Sequence, residues 1–77
     1  MATQHVQQLI RMGNQIAGNF VATYGHDAAI IKTEDHLRRF WAVDMRAALA
    51  DSVVTQHNEI DEVLLSAVER LQSCNTG

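Results

Sequence analysis

The segment His36-Leu37-Arg38-Arg39-Phe40-Trp41-Ala42-Val43-Asp44-Met45-Arg46-Ala47-Ala48-Leu49 holds the residues best equipped for recognition chemistry. The only Trp of the chain stands in it, beside one of two Phe. Arg, Trp and bulky aromatics dominate the energetics of protein–protein contacts, because they bury much area and bring directed donors. Arg38 and Arg39, with Trp41 alongside, suit a carboxylate-bearing partner surface or a phosphate, which a guanidinium grips through two parallel hydrogen bonds. The alternative is solvated charge. Glu34 to Arg38 and Asp35 to Arg39 are i,i+4 pairs of the favourable orientation, each contributing only about 0.2–0.5 kcal/mol. His36 lies one turn before Phe40, placed to bond a partner or a neighbouring helix end, or to be half-buried and satisfied by backbone. Trp41 is either a contact residue or core. His36, Arg38, Arg39, Phe40, Trp41 and Arg46 are therefore the expected partner-binding residues of a docking module.

Other chemistry finds little support. His5, His26, His36 and His57 are scattered, with no pair at the four-residue spacing that sets two imidazoles on one helical face. Cys74 is the single cysteine, so neither an internal disulfide nor a thiolate pair for zinc or an iron–sulfur cluster can form. No metal, cofactor-binding or catalytic residue is expected. Asp51-Ser52-Val53 is similar to the Asp-Ser-Leu at which acyl carrier proteins take their phosphopantetheine arm. A carrier presents that serine at the start of a long helix. Ser52 falls near the end of a short one, on its apolar face, where its hydroxyl is expected to bond back to the Ala48 carbonyl. A DNA-reading helix is excluded by charge, since Met45 to Val54 carries one Arg and one Asp.

The chain's 77 residues fit one domain, residues 1–77, with a core of about 4–72 and a frayed tail over 73–77. A chain this short buries only about 60% of its unfolded surface, which leaves little room for an enclosed cofactor pocket. Six Lys+Arg oppose nine Asp+Glu, for a net charge of −3. That balance gives no general attraction to nucleic acid or to an anionic membrane. No apolar run approaches the length of a membrane span, and residues 1–11 lack a signal-peptide pattern. A cytoplasmic location is expected.

Apolar residues recur at three and four, the helical period, and proline is absent. The spacing predicts an all-α bundle of three to four helices. The first runs from about Gln4 to Thr23, capped by Thr3, with Val6, Leu9, Ile10, Gly13, Ile16, Ala17, Phe20 and Val21 facing inward. Gly13 on that stripe implies close approach of another backbone. Gln7, Gln8, Asn14, Gln15 and Asn19 form an uncharged flank, covered in an assembly or simply surface, and compatible with a homodimer of the isolated chain. Gly25 ends this helix in a left-handed conformation. Asp27 caps the second helix, whose stripe is Ile30, Thr33, Leu37 and Phe40 or Trp41. Asp44 caps the third, which ends near Val54 with Met45, Ala48, Leu49 and Val53 inward. Asn58 caps the fourth, Glu59 to about Gln72, with Ile60, Val63, Leu64, Ala67, Val68 and Leu71 inward.

Asn14-Gln15-Ile16-Ala17, Phe20, Ala28-Ala29, His36-Leu37-Arg38-Arg39-Phe40-Trp41 and Met45-Arg46-Ala47-Ala48-Leu49, in this order and spacing, resemble the delta subunit of NAD-dependent, molybdenum-containing formate dehydrogenases. The resemblance spans most of residues 6–71. It implies a small, cofactor-free accessory subunit tied to assembly or stability of the complex. It also implies that the partners are the large subunits, which carry molybdopterin guanine dinucleotide, iron–sulfur clusters and FMN and pass electrons to NAD. Where the family has Asp-Pro and a basic residue, this chain has Ala42-Val43-Asp44. Without the proline, the joint relies on the Asp44 cap, or the two helices run on with a bend. An acyl-carrier-like protein and a transient assembly chaperone for the molybdenum subunit are the alternatives.

Overall fold

The computed structural model describes residues 6–75, with side chains through residue 72. Thr3, Gln4, His5 and the Cys74 side chain lie outside that range. Four α-helices follow one another: α1 Val6–Tyr24, α2 His26–Phe40, α3 Val43–Thr55 and α4 Glu62–Asn75, with a 3₁₀ turn at His57–Glu59 before the last. No strand occurs among the described residues. The all-α bundle expected from the spacing is the fold.

Gly25 reverses the chain between α1 and α2. Its φ of 91° lies where only glycine is unstrained, and its N–H and C=O bond to Val21 and Ala29 across the joint. Because the break is a single residue, α2 starts at His26, and Asp27 sits in its first turn rather than capping it. The hairpin is antiparallel: Phe20 meets His36, and the Lys32 ammonium lies 4.4 Å from the centre of the Tyr24 ring.

Helices α2 and α4 run parallel. His26 reaches Glu62 and Glu34 reaches Arg70, so the same sequence offset recurs two turns apart. Between α2 and α3 the chain breaks at Trp41 and Ala42, both extended, instead of running on with a bend. Asp44 does not cap α3. The N-cap is Ala42, without a side-chain bond, and Asp44 lies in the first turn, where the helix dipole favours a carboxylate. The burial of Trp41 turns the chain here.

The cap of α4 also differs from expectation. Residues 57–59 form the 3₁₀ turn, Ile60 is extended and buried, and the Asp61 carboxylate accepts the Val63 N–H. Asp61, not Asn58, therefore starts the helix. Asn14 of α1 fixes this break from across the bundle: its amide donates to the Glu59 carbonyl at 2.9 Å and accepts the Asp61 N–H at 2.8 Å. The Gln7 side-chain amide donates to the side-chain oxygen of Gln56. Part of the uncharged flank of α1 thus serves the chain's own connections.

The core combines Leu9, Ile10 and Ala17 of α1, Ala29 and Leu37 of α2, Trp41, Leu49 of α3, Ile60 and the α4 stripe from Val63 to Leu71. Gly13 is approached by a side chain, not a backbone. A Cβ there would stand 2.7 Å from Leu64 Cδ2.

Candidate functional site

The centre of the site is a carboxylate that sequence spacing placed in solvent. Leu37 and Thr33 must face the core, and Glu34 shares their side of α2 closely enough that its side chain is only 5% exposed. Both oxygens are engaged: Arg38 donates at 2.5 Å from one turn ahead, and Arg70 of α4 donates at 2.6 Å. Burial opposes the charge, yet the two guanidinium hydrogen bonds outweigh it and hold the Glu34 carboxyl below the usual carboxylate range. The i,i+4 pair read from the sequence is one half of a bridge that ties α2 to α4. Asp35 and Arg39 form the second i,i+4 pair, at 3.2 Å on the exposed side.

Around this bridge runs a row of rings. Tyr24 and Phe20 of α1 lie with centroids 6.0 Å apart, Phe20 meets the edge of His36 at 6.3 Å, and His36 lies 4.9 Å from Phe40. The row and the ion pairs line one open cleft of about 570 Å³, which also includes Ile31, Lys32, Glu34, Asp35, Arg38 and Arg70. Phe40, at the last position of α2, is 71% exposed.

The expected partner-binding residues therefore separate. His36, Arg38 and Phe40 line the cleft, and Arg39 stands beside it through Asp35. Trp41 departs from the expectation of an outward contact. It is 7% exposed and packs in the core, because α2 ends at Phe40 and the extended backbone at Trp41 swings the indole inward. Of the two residues left open for the inner stripe, Trp41 is the one that fills it. Arg46 lies apart from the cleft, half-buried in a groove between α3 and α4 with Val43, Ala47, Ala50, Val68 and Leu71.

Tyr24, Phe20, Lys32 and Arg70 complete the cleft and were not among the expected site residues. Phe20 and Tyr24, four apart on α1, carried a signal as a ring pair on one helical face. Arg70 carried none, since its partner is brought by the fold.

The cleft is cationic in an acidic chain. Lys32, Arg38 and Arg70, three of the six cations, line it against Glu34 and Asp35 of the nine acids, and Arg39 stands beside it. At the opposite end of α2, His26 is raised above its ordinary value by the Asp27 carboxylate first, against an opposing effect of desolvation, with Glu62 adding to the rise. Among the described residues, no group of three or more His, Cys, Asp or Glu side chains gathers to hold a metal. Ser52 is buried, and its hydroxyl donates to the Leu49 carbonyl at 2.6 Å, one residue nearer than the expected Ala48. A sealed, engaged hydroxyl cannot carry a prosthetic arm, which removes the acyl-carrier reading.

A family model described as the NADH-dependent formate dehydrogenase delta subunit FdsD matches residues 8–68, most of the chain. No curated protein and no solved structure matches it. No helix among the described residues is long and apolar enough to cross a membrane.

Proposed function

The chain belongs to the FdsD family of NADH-dependent formate dehydrogenase delta subunits, and from that premise we propose that it is a non-catalytic accessory subunit that docks on the large subunits of the enzyme and stabilises or helps assemble them. The observation that carries the reading is the cationic, ring-lined cleft on α1 and α2, with Phe40 projecting at its edge. The complementary surface is an acidic segment with an apolar residue that seats against Phe40 and His36. Arg39, paired only with the solvent-facing Asp35, steers that segment, while Arg38 is held in position by Glu34. The molybdopterin guanine dinucleotide, iron–sulfur clusters and FMN of the host belong to the large subunits in this reading.

Co-expression of the chain with the other formate dehydrogenase subunits tests it, read by native mass spectrometry. The wild-type chain remains in the mature complex, and Phe40→Ala with Arg39→Glu releases it. A complex that never contains this chain assigns it the role of a transient chaperone or none. A complex indifferent to both substitutions removes the cleft from the interface.

A further inference from the structure

The bridge between α2 and α4 leaves a positive charge over. Arg38 and Arg70 share the single negative charge of Glu34. That carboxyl is held below the usual carboxylate range, so the excess persists at neutral pH. All three side chains line the open cleft, Arg70 from α4 and the other two from α2.

The way Arg70 is held decides what it can do. It donates to Glu34 through Nε, at 2.6 Å. A guanidinium has five N–H donors, and four of them stand on the two terminal nitrogens. Among the described residues, no group takes up those four. The Glu34 side chain is 5% exposed and the Arg70 side chain 52%. Anchored through its inner nitrogen to a buried group, the guanidinium keeps its terminal edge toward the cleft. That edge carries two parallel N–H groups, which match the two oxygens of a carboxylate. The anchor also removes side-chain freedom that an unheld arginine would lose on binding.

We infer that Arg70 is the residue by which the cleft recognises a carboxylate of the docking segment, and that Glu34 is the positioning residue that presents it. The inference rests on the docking reading above and adds the group that is gripped. One excess positive charge matches one carboxylate and not a phosphate dianion. On the same cleft, the row from Phe20 through His36 to Phe40 receives the apolar neighbour of that carboxylate. The partner therefore presents an Asp or Glu close to a bulky apolar side chain.

Two substitutions separate this from plain charge attraction. Arg70→Lys keeps the charge and can still pair with Glu34, but it lacks the planar fork. Glu34→Gln makes the cleft more positive, so attraction alone would tighten docking, whereas loss of the anchor loosens it. Each full-length variant competes in equal amount with the parent chain, labelled with heavy nitrogen, for large subunits co-expressed without it. Intact masses of the chains recovered in the complex give the ratio, and circular dichroism melts establish that each competitor is folded. Arg70→Lys is recovered at about one tenth of the parent or less, the scale of an interface residue that carries binding energy. Glu34→Gln is recovered below the parent despite its added charge, and if it does not fold, Arg70→Lys alone decides. Arg70→Lys at parity, or folded Glu34→Gln at parity or in excess, overturns the proposal. Phe40→Ala in the same competition shows which reading has failed. Depleted Phe40→Ala beside undiminished Arg70→Lys rejects the fork alone, and all three at parity reject the cleft as the docking site.

Discussion

Glu34 of α2 and Arg70 of α4 meet at 2.6 Å across the bundle, and Arg38 takes the other oxygen of the same buried carboxylate. Two half-exposed arginines share one anion, so either alone still satisfies most of its charge. Arg38→Ala and Arg70→Ala are each expected to cost about 1 kcal/mol, of the order of a charge-assisted bond at a partly solvated site. The double variant leaves a buried carboxylate without either guanidinium, and its loss exceeds the sum of the singles by about 0.5–3 kcal/mol. Urea unfolding of the four proteins measures this. Losses that simply add contradict a shared carboxylate.

The same group gives an acid limb to stability. The Glu34 carboxyl is depressed in the folded chain relative to its ordinary 4.5. A depressed carboxyl contributes stability that is fully present above the unfolded value and is lost as pH falls through the folded one, since the unfolded chain then binds the proton more readily. Urea midpoints should therefore drop as pH is lowered below about 4.5, and Glu34→Gln should flatten that drop. His26 has the opposite sign: its raised value adds stability below 6.5 that fades as pH rises through the folded value. Its half-exposed ring makes that limb the shallower one.

Two glycines of α1 should respond to alanine in opposite directions. Gly18 has open space around it. Alanine there recovers about 1 kcal/mol of helix propensity. At Gly13 the new methyl meets Leu64, a fully buried side chain that has to shift to admit it. Overpacking of that kind costs about 1–3 kcal/mol, which cancels or exceeds the propensity gain. Thermal melts should rank Gly18→Ala above the parent and Gly13→Ala below it. A Gly13→Ala protein as stable as Gly18→Ala removes the close-approach account.

How much of this was legible depends on whether a partner lies near in sequence. The inner stripes of α1 and α4 follow from the 3.6-residue period alone, as Leu9, Ile10, Gly13 and Ala17, and Ile60 to Leu71, show. The ends were less legible. Asn58 and Asp61 are both competent caps three residues apart, and the choice is made by Asn14, which lies on another helix and bonds the backbone on either side of Ile60. Glu34 reads as a surface ion pair until α4 brings Arg70 to it. Trp41 and Phe40 are adjacent, so periodicity offers either to the core, and the end of α2 decides.

Val43 occupies the first position of α3. The N–H at that position has no partner inside the helix, and Ala42 before it is already extended at φ −67° and ψ 156°, as proline demands of its predecessor. Val43→Pro is thus expected to raise stability by about 0.4–1 kcal/mol by narrowing the unfolded ensemble. Denaturant unfolding checks it. A destabilised Val43→Pro protein contradicts the geometry described for the joint.

Phe40 and Trp41 divide the work that their sequence neighbourhood suggested they share. Trp41 is core, so Trp41→Ala opens a cavity and should cost about 3–5 kcal/mol, a large part of the stability of a chain this size. Phe40 is exposed, so Phe40→Ala should leave unfolding within about 0.5 kcal/mol of the parent. If the cleft docks the enzyme, the same substitution weakens the complex by more than about 1–2 kcal/mol. Circular dichroism melts of the isolated variants, followed by affinity of the folded ones for the large subunits, separate the two roles. A Phe40→Ala chain that is stable and binds unchanged takes the projecting ring out of the interface. A Trp41→Ala chain that melts with the parent takes the indole out of the core.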